Sequence, residues 1–324
     1  VRFTLRRSAW MRWLPPIDRP SPSPVITHTS RSGRATARPV AMALGLELSK
    51  PFAISSAFTS LRQFRVITAA ALTLVGLLAI GYSLQAELTF MSMPLKQRLA
   101  DGASVLMVNP NHVSPTLCEK LVRAGADSVF IDCEHGLAGF EDIHHMAKAA
   151  RYGGGFGIVR PQNQERSTIT RCLNAGADGV MVPLIHTADI ARQVVHTFRY
   201  ACPDDHEKRL LIGMVESVEA VGNLDEILAV EGIDVFFVGP GDLSQSMGYS
   251  PSVPAGGKRP QPALDLVDQT LRRIRAAGKI AGTLVVRQDV EHLVSVGAQL
   301  LYYHADPFVN EGVLAMRQLS TPRA

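Results

Sequence analysis

Two carboxylates in this chain follow two apolar runs, and their type and spacing are suited to holding a cation. Glu216 follows the run 210–215, and Asp242 follows the run 235–238 and a Gly-Pro-Gly turn at 239–241. Short apolar runs without alternation are typical of strands covered on both faces. Two such strands joined by a short helix pair in parallel, so their carboxyl ends meet at one edge of the sheet. The sequence therefore predicts a cation site at this edge.

The same two residues also have a purely structural interpretation. Glu216 stands where it can cap the helix that follows the first run, and Asp242 stands where it can N-cap a turn. The residue spacing alone leaves both interpretations open.

The residues from 94 onward alternate between short apolar runs and segments of helical periodicity. Eight apolar runs occur, at 104–108, 128–132, 157–159, 179–183, 211–215, 235–238, 280–285 and 300–303. Helices are predicted at 115–124, 140–152, 167–175, 188–200 and 262–277. A weak repeat, AGADSVFID and AGADGVMVP, supports the alternation. This pattern predicts an α/β fold of the (β/α)8 TIM barrel type, with an open doubly wound sheet as the alternative.

Polar residues gather after the predicted strands, where a barrel of this type has its active site. Asp132, Glu134 and His135 follow the second run, and Arg160 follows the third. Two other acidic residues, Asp127 and Asp178, stand before strands instead and are predicted to be loop or cap residues.

The composition is that of a globular protein, with 46% apolar and 19% charged residues in 324. The net charge of +4 is concentrated in the first forty residues, which contain eight arginines and one acidic residue, Asp18. The remainder is near neutral, so we predict no nucleic-acid partner. The four cysteines show no CxxC spacing, which argues against a zinc site and favours a reducing compartment.

Residues 1–90 differ in composition from the rest of the chain. They are basic and rich in Ser, Thr and Pro up to residue 39, which predicts disorder. Residues 66–84 then form an uncharged stretch that is long enough for a transmembrane helix. A targeting segment, or a true start at Met91 or Met93, is the alternative.

The predicted location of the protein depends on this extension. Residues 91–324 are predicted to form the barrel domain, which we expect to be cytoplasmic. The domain would be membrane-anchored or organelle-targeted if the extension is part of the working protein.

Five motifs resemble the metal-dependent HpcH/HpaI aldolase family, which has macrophomate synthase as a relative. The motifs are FIDCEHG from Phe130, GIVRP from Gly157, GADGVMVP from Gly176, GMVES from Gly213 and FFVGPGDLS from Phe236. They occur in the family's order. The resemblance implies a (β/α)8 barrel that is often a homo-oligomer. It also implies a reaction that forms or cleaves a carbon–carbon bond beside the methyl group of pyruvate or a similar 2-oxo acid.

Glu216 and Asp242 match the two metal ligands of that family. Removal of a proton from the methyl group of pyruvate leaves an enolate whose charge lies on the former keto oxygen, so catalysis requires positive charge there. A hard divalent ion on two carboxylates keeps positions open for substrate oxygens. Magnesium is the expected ion, and manganese or cobalt would fit the same oxygens.

The resemblance also implies catalytic roles. His135 matches the family's base, which acts through water, and Asp132 matches the carboxylate that orients it. Arg160 matches the arginine that hydrogen-bonds the enolate oxygen, with a salt bridge at the barrel mouth as its structural alternative. Glu134 is expected to hold His135 or a water on the metal.

Substrate binding is less well defined by the sequence. Gly239, Pro240 and Gly241 form a turn whose exposed backbone N–H groups are expected to receive the substrate carboxylate; the alternative is a simple turn. The link 201–209 is shorter than the arginine- and glycine-rich loop of the family, and the last apolar run continues as LLYYHAD, which places His304 near the barrel mouth. The shorter link leaves both the acceptor and the oligomeric state undefined.

Three functions therefore stay open. The first is a divalent-metal-dependent aldolase that forms or cleaves a 4-hydroxy-2-oxo acid from a 2-oxo acid and an aldehyde through a pyruvate enolate. The second is a decarboxylase of oxaloacetate, similar to macrophomate synthase, that passes the enolate to a bulkier acceptor. The third is a membrane-tethered barrel without catalysis, against which the complete set of Glu216, Asp242, Arg160 and His135 argues.

Overall fold

Eight parallel strands close into a barrel in a computed structural model that describes residues 93–253 and 257–320. Each strand pairs with its neighbours in chain order, and β8 pairs with β1. The (β/α)8 barrel predicted from the sequence is confirmed. The strands are β1 (Val105–Asn109), β2 (Ser128–Asp132), β3 (Phe156–Arg160), β4 (Gly179–Val182), β5 (Leu210–Val215), β6 (Val235–Val238), β7 (Ile280–Leu284) and β8 (Ala298–His304).

Helices precede, connect and follow the strands. They are α1 (Leu95–Ala100), α2 (Pro115–Arg123), α3 (Phe140–Gly153), α4 (Arg166–Asn174), α5 (Ala188–Ala201), α6 (Val218–Gly222), α7 (Leu224–Leu228), α8 (Pro240–Ser246), α9 (Gln261–Ala276), α10 (Val290–Val296) and α11 (Asp306–Ser320). The five predicted helices agree with α2, α3, α4, α5 and α9 to one residue at each end. The single helix expected between β5 and β6 is instead two short helices, α6 and α7, that meet at Asn223.

Apolar side chains fill the barrel and separate it from the helices. The interior holds Met107, Phe130, Ile158, Met181 and Phe237, among others, because alternate residues of each strand point inward. The opposite residues of the strands pack against the helices and form the larger hydrophobic cluster. This packing leaves the strand ends as the places where polar side chains can gather.

Three aspartates stabilise the end of the barrel where the strands begin. In each, one carboxylate oxygen accepts a hydrogen bond from the backbone N–H at the start of the preceding strand, and the other carboxylate oxygen meets a cation. The N–H donors are Leu106, Gly157 and Leu211, at 2.7, 2.8 and 2.8 Å from Asp127, Asp178 and Asp234, and the cations are Arg98, Arg151 and Lys96. The structural role predicted for Asp127 and Asp178 is confirmed.

The predicted N-terminal extension lies outside the described residues. This applies to the boundary near residue 90 and to the uncharged stretch 66–84. Within the described part of the chain, none of the helices has the length and apolarity needed to cross a bilayer.

Candidate active site at the carboxyl ends of the strands

Arg160 is the centre of a polar cluster where β2 and β3 end. Asp132 and Arg160 pair in register across these strands. Nε and Nη2 of Arg160 donate to the two carboxylate oxygens of Asp132 at 2.9 and 2.6 Å, and Nη1 lies 2.9 Å from Oε2 of Glu134. Nη2 also lies 3.0 Å from Nδ1 of His135. The buried guanidinium thus contacts all three polar residues predicted after β2.

Asp132 is held ionised by this arrangement. Burial raises its pKa, but the hydrogen bonds and charge of Arg160 outweigh burial and hold the pKa below its usual value. Its Oδ1 also accepts the backbone N–H groups of Glu134 and His135 at 3.1 and 3.2 Å. The structure thus differs from the prediction that Asp132 orients the ring of His135 directly. Asp132 fixes the backbone of His135, and Arg160 contacts the ring.

The contact with Arg160 assigns the tautomer of His135. A guanidinium N–H has only a proton to offer, so Nδ1 of His135 must accept it, and the neutral ring carries its own hydrogen on Nε2. The side chain of His135 is exposed. The ring can therefore take up a proton at Nδ1 only when it moves away from Arg160.

Glu216 is buried beneath the barrel mouth, with one of its oxygens unpaired. Its Oε1 accepts the backbone N–H of Leu184 at 2.7 Å, and Leu184 adopts a left-handed φ of 59° that is uncommon outside glycine. Its Oε2 is buried and has no hydrogen-bond partner in the structure. A buried carboxylate oxygen without a partner is costly, which marks the position as one that needs a ligand.

The negative charge of Asp242 acts on the carboxyl group of Glu216. Burial, and after it the charges of Asp242 and Glu134, together raise the pKa of Glu216 to about 8, against the opposing hydrogen bond from Leu184. Asp242 stands in the first turn of α8, and it lines the cavity described below. A cation between these groups would relieve their mutual repulsion.

Neither structural alternative for these two residues survives. The helix after Glu216 is capped by the side chain of Ser217, which accepts the N–H of Ala220 at 3.1 Å. The N-cap of α8 is Gly239, three residues before Asp242. Gly239 instead leaves room for Glu216, because a Cβ at Gly239 would lie 2.8 Å from its Oε2.

The two carboxylates fit a hard divalent ion that keeps much of its coordination for water and substrate. Among the described residues, no three His, Cys, Asp or Glu side chains converge closely enough to bind an ion without help. Magnesium is commonly held by one or two carboxylates while water and substrate oxygens complete the shell. The unpaired oxygen of Glu216 and the repulsion from Asp242 match that mode of binding.

A cavity of about 530 Å³ opens at this end of the barrel. It is lined by Asp132, His135, Arg160 and Asp242, whereas Glu216 lies behind the Gly239 wall. Its volume is in the range of small-molecule sites. The structure thus brings the predicted catalytic residues and one predicted metal ligand to the same cavity.

The turn at 239–241, predicted to bind the substrate carboxylate, has fewer free backbone N–H donors than expected. The N–H of Gly239 already donates to the carbonyl of Val215 at 3.2 Å, and Pro240 has no N–H. Of these three residues only Gly241 retains a backbone donor that substrate can use.

Sequence reasoning missed several residues of the cavity wall. Asn109 and Tyr302 line it, and so does Arg259, whose Nη1 donates to the carbonyl of Pro251 at 2.9 Å. The inward position of Tyr302 follows from its spacing of two residues from His304 on one strand. No sequence signal places Arg259, because it follows a segment rich in Pro and Gly.

The chain is similar to known proteins of one family. A model of the family described as HpcH/HpaI aldolase/citrate lyase matches residues 105–301. The 2-keto-3-deoxy-L-rhamnonate aldolase of Escherichia coli O17:K52:H18 (strain UMN026 / ExPEC) is 32% identical over 248 residues, which cover 69% of this chain and 91% of that protein.

Solved structures show the same similarity. The citrate synthase SbnG superposes with a TM-score of 0.64 at 27% identity over 70% of this chain and 97% of that one. A HpcH/HpaI aldolase/citrate lyase family protein from Burkholderia cenocepacia J2315 gives 0.63 at 25% identity over 70% and 99%. Macrophomate synthase, at 21% identity and a TM-score of 0.58 over 71% and 91%, is similar in fold. The chain therefore belongs to the HpcH/HpaI aldolase/citrate lyase family.

Proposed function

We propose that the protein is a divalent-metal-dependent aldolase that forms or cleaves a 4-hydroxy-2-oxo acid through the enolate of pyruvate or a similar 2-oxo acid. The observation that carries this proposal is the buried, unpartnered oxygen of Glu216 beside Asp242, at the edge of a cavity that also contains Arg160 and His135. The family supports the same class of reaction, since the curated relative is an aldolase.

Glu216 and Asp242 would hold the metal ion. Magnesium is the expected ion, and manganese or cobalt would suit the same oxygens. When bound, the ion would supply positive charge for the oxygen on which the enolate charge develops. The two carboxylates would in turn lose the repulsion that raises the pKa of Glu216.

Arg160 would stabilise the same developing charge. Of its five N–H donors, three meet Asp132 and His135. Nη1 forms an ion pair with Oε2 of Glu134 at 2.9 Å but no hydrogen bond, so an Nη1 hydrogen can bind a substrate oxygen. Because the other contacts fix the guanidinium, this donor needs no reorganisation when charge builds on the substrate.

His135 would move the proton. The neutral ring can accept a proton from the substrate methyl group, through water, once its Nδ1 turns away from Arg160. The exposed side chain has room for that movement. Gly241 would receive the substrate carboxylate through its backbone N–H.

The test is exchange of the methyl protons of pyruvate in D₂O, followed by ¹H NMR with the full-length protein. We expect exchange that requires a divalent ion, stops with EDTA and returns with excess Mg²⁺. Glu216→Gln should lower exchange on the order of 10³-fold. Glu231→Gln, at a surface carboxylate paired with Lys279, should not lower it. Exchange that is unaffected by EDTA would refute the proposal. Decarboxylation of oxaloacetate without pyruvate exchange would point to the decarboxylase instead.

A further inference from the structure

The wall of the cavity at β8 contains two aromatic side chains that the proposed chemistry does not use. Tyr302 and His304 alternate along β8 and both point into the cavity. Their rings meet edge to face, with centroids 5.0 Å apart. Arg160 ends β3, and Glu216 and Asp242 follow β5 and β6, so the residues of the proposed chemistry come from other strands than this wall.

Asn111 fixes the tautomer of His304. The side-chain oxygen of Asn111 accepts the backbone N–H groups of Ala305 and Asp306 at 2.9 and 3.2 Å, so its amide nitrogen is the atom that faces His304. That nitrogen lies 2.8 Å from Nδ1 of His304. Since an amide N–H only donates, Nδ1 accepts, and the neutral ring carries its hydrogen on Nε2. Burial lowers the pKa of His304, which favours this neutral ring.

Asn109 fixes the hydroxyl of Tyr302 in the same way. The side-chain oxygen of Asn109 accepts the N–H of Asn111 at 2.8 Å, and its amide nitrogen donates to the Tyr302 oxygen at 2.8 Å. The phenol oxygen is therefore an acceptor in this contact, and its own hydrogen remains available. Burial raises the pKa of Tyr302, so that the hydrogen stays in place. Two asparagines thus leave two neutral donors facing the cavity.

We propose that Tyr302 and His304 form the subsite for the second substrate, an uncharged aldehyde, and donate hydrogen bonds to its oxygen atoms. This proposal rests on the proposed function. Neutral donors suit a carbonyl or hydroxyl oxygen, whereas a carboxylate would be better served by a cation. Asn109 and Asn111 are positioning residues in this subsite, because each acts through the donor that it orients.

The assignment is consistent with the balance of the reaction. In the direction of synthesis the C=C electron pair of the enolate forms the bond to the aldehyde carbon and the keto group re-forms. The C=O electron pair of the aldehyde moves onto its oxygen, which takes up, through water, the proton that His135 removed from the methyl group. No electrons are gained or lost overall. Donors aimed at the aldehyde oxygen stabilise the charge that it gains in this step.

Substitution of single hydroxyl and imidazole groups tests the subsite. Tyr302→Phe and His304→Phe should lower kcat/KM for glycolaldehyde, used as the uncharged probe, by about 10- to 100-fold. Both should lower aldol kcat/KM at least about tenfold more than they lower pyruvate methyl exchange, because exchange needs no aldehyde. Tyr303→Phe is the matched control, since Tyr303 points away from the cavity on the same strand. Thermal melts establish that each variant is folded.

The outcomes separate the two proposals. Equal loss of exchange and aldol activity would place these residues on the 2-oxo acid side and overturn the subsite, as would unchanged aldol kinetics. A wild-type protein that exchanges pyruvate but does not turn over glycolaldehyde would also overturn it. A wild-type protein without any exchange would refute the proposed function, and the subsite with it.

An independent readout is the tautomer of His304. In protein labelled with ¹⁵N-histidine, and assigned with His304→Gln, we expect the ring hydrogen on Nε2. Asn111→Asp keeps the shape but offers His304 an acceptor, so the hydrogen should move to Nδ1 and aldol activity should fall. A wild-type ring with its hydrogen on Nδ1 would contradict the proposal without reference to activity.

Discussion

The two ends of the barrel both carry buried carboxylates, but they differ in how these are paired. Where the strands begin, Asp178 accepts a backbone N–H at 2.8 Å and lies 3.0 Å from Arg151. Where the strands end, Asp132, Glu134, Asp242 and Glu216 crowd around Arg160 and one another, and one oxygen of Glu216 has no partner.

The carboxylates at the two ends differ in whether a cation lies beside them rather than in whether they are buried. Burial raises the pKa of Asp178 and Asp234 as well, yet each of these has a cation within 3.0 or 3.1 Å. Glu216 has none so close, and its pKa rises to about 8. Carboxylates with a complete set of partners hold a fold together, whereas carboxylates without them mark a site that binds something else. The predictions below test that distinction.

The largest effect is expected for Glu216→Gln. The variant lacks the charge that we propose binds the metal ion, so metal affinity should fall by at least about 100-fold and pyruvate exchange on the order of 10³-fold. Metal titration and exchange kinetics measure the two quantities. Exchange within about twofold of wild type would show that Glu216 is a structural residue.

The same variant should alter the pH dependence of stability in the metal-free protein. The folded pKa of Glu216, about 8, lies above its ordinary value of 4.5, so ionisation destabilises the fold progressively as pH rises between these values. Glu216→Gln removes this loss. The urea midpoint of the variant should therefore rise relative to that of the wild-type protein as the pH increases from 5 to 8. An advantage that stays constant with pH would contradict the assignment.

The second largest effect on exchange is expected for Arg160→Lys. Lysine keeps the charge but cannot bridge both oxygens of Asp132 and reach Glu134 together. We expect exchange to fall about 10²- to 10³-fold, mainly in kcat, because the fixed donor acts on the developing charge. Arg192→Lys, at an exposed ion pair, is the control. A change in KM alone would show that Arg160 only binds substrate.

Gly239→Ala and Gly241→Ala form a matched pair within one turn. A Cβ at Gly239 would lie 2.8 Å from Oε2 of Glu216, whereas a Cβ at Gly241 would meet nothing closer than 3.8 Å. In Gly239→Ala the displacement of Glu216 should weaken metal binding by about 10- to 100-fold, whereas Gly241→Ala should leave metal binding unchanged. Equal affinities in the two variants would show that the Gly239 wall does not position Glu216.

Asp178→Asn should have the smallest effect on catalysis. The amide cannot accept from Arg151 as a carboxylate does, so the free energy of unfolding should fall by about 1–3 kcal/mol. Urea denaturation measures this loss. Since Asp178 lies at the opposite end of the barrel, kcat should not change, and a large fall in kcat would break the distinction between the two ends.

The barrel could be predicted because its signals are local. Unbroken apolar runs mark strands buried on both faces, and repeats such as AGAD mark the return from helix to strand. The positions of Glu216 and Asp242 after such strands followed from the same logic. The structure confirms the fold and excludes the capping role of Glu216, which spacing alone had left open.

The rest of the site depends on contacts that a linear pattern does not contain. Asp132 binds Arg160 rather than the ring of His135, which follows from strand register and from competition among donors. Leu184 reaches Glu216 through a left-handed backbone conformation for which its side chain gives no signal. The donors on β8 are set by two asparagines almost two hundred residues away in the chain.

The most direct test of the central claim is a titration of the full-length protein with Mn²⁺, with free ion measured by EPR. The account predicts one tightly bound ion per chain that is lost in Glu216→Gln and retained in Asp178→Asn. An ion that survives Glu216→Gln, or the absence of any bound ion in the wild-type protein, would contradict it.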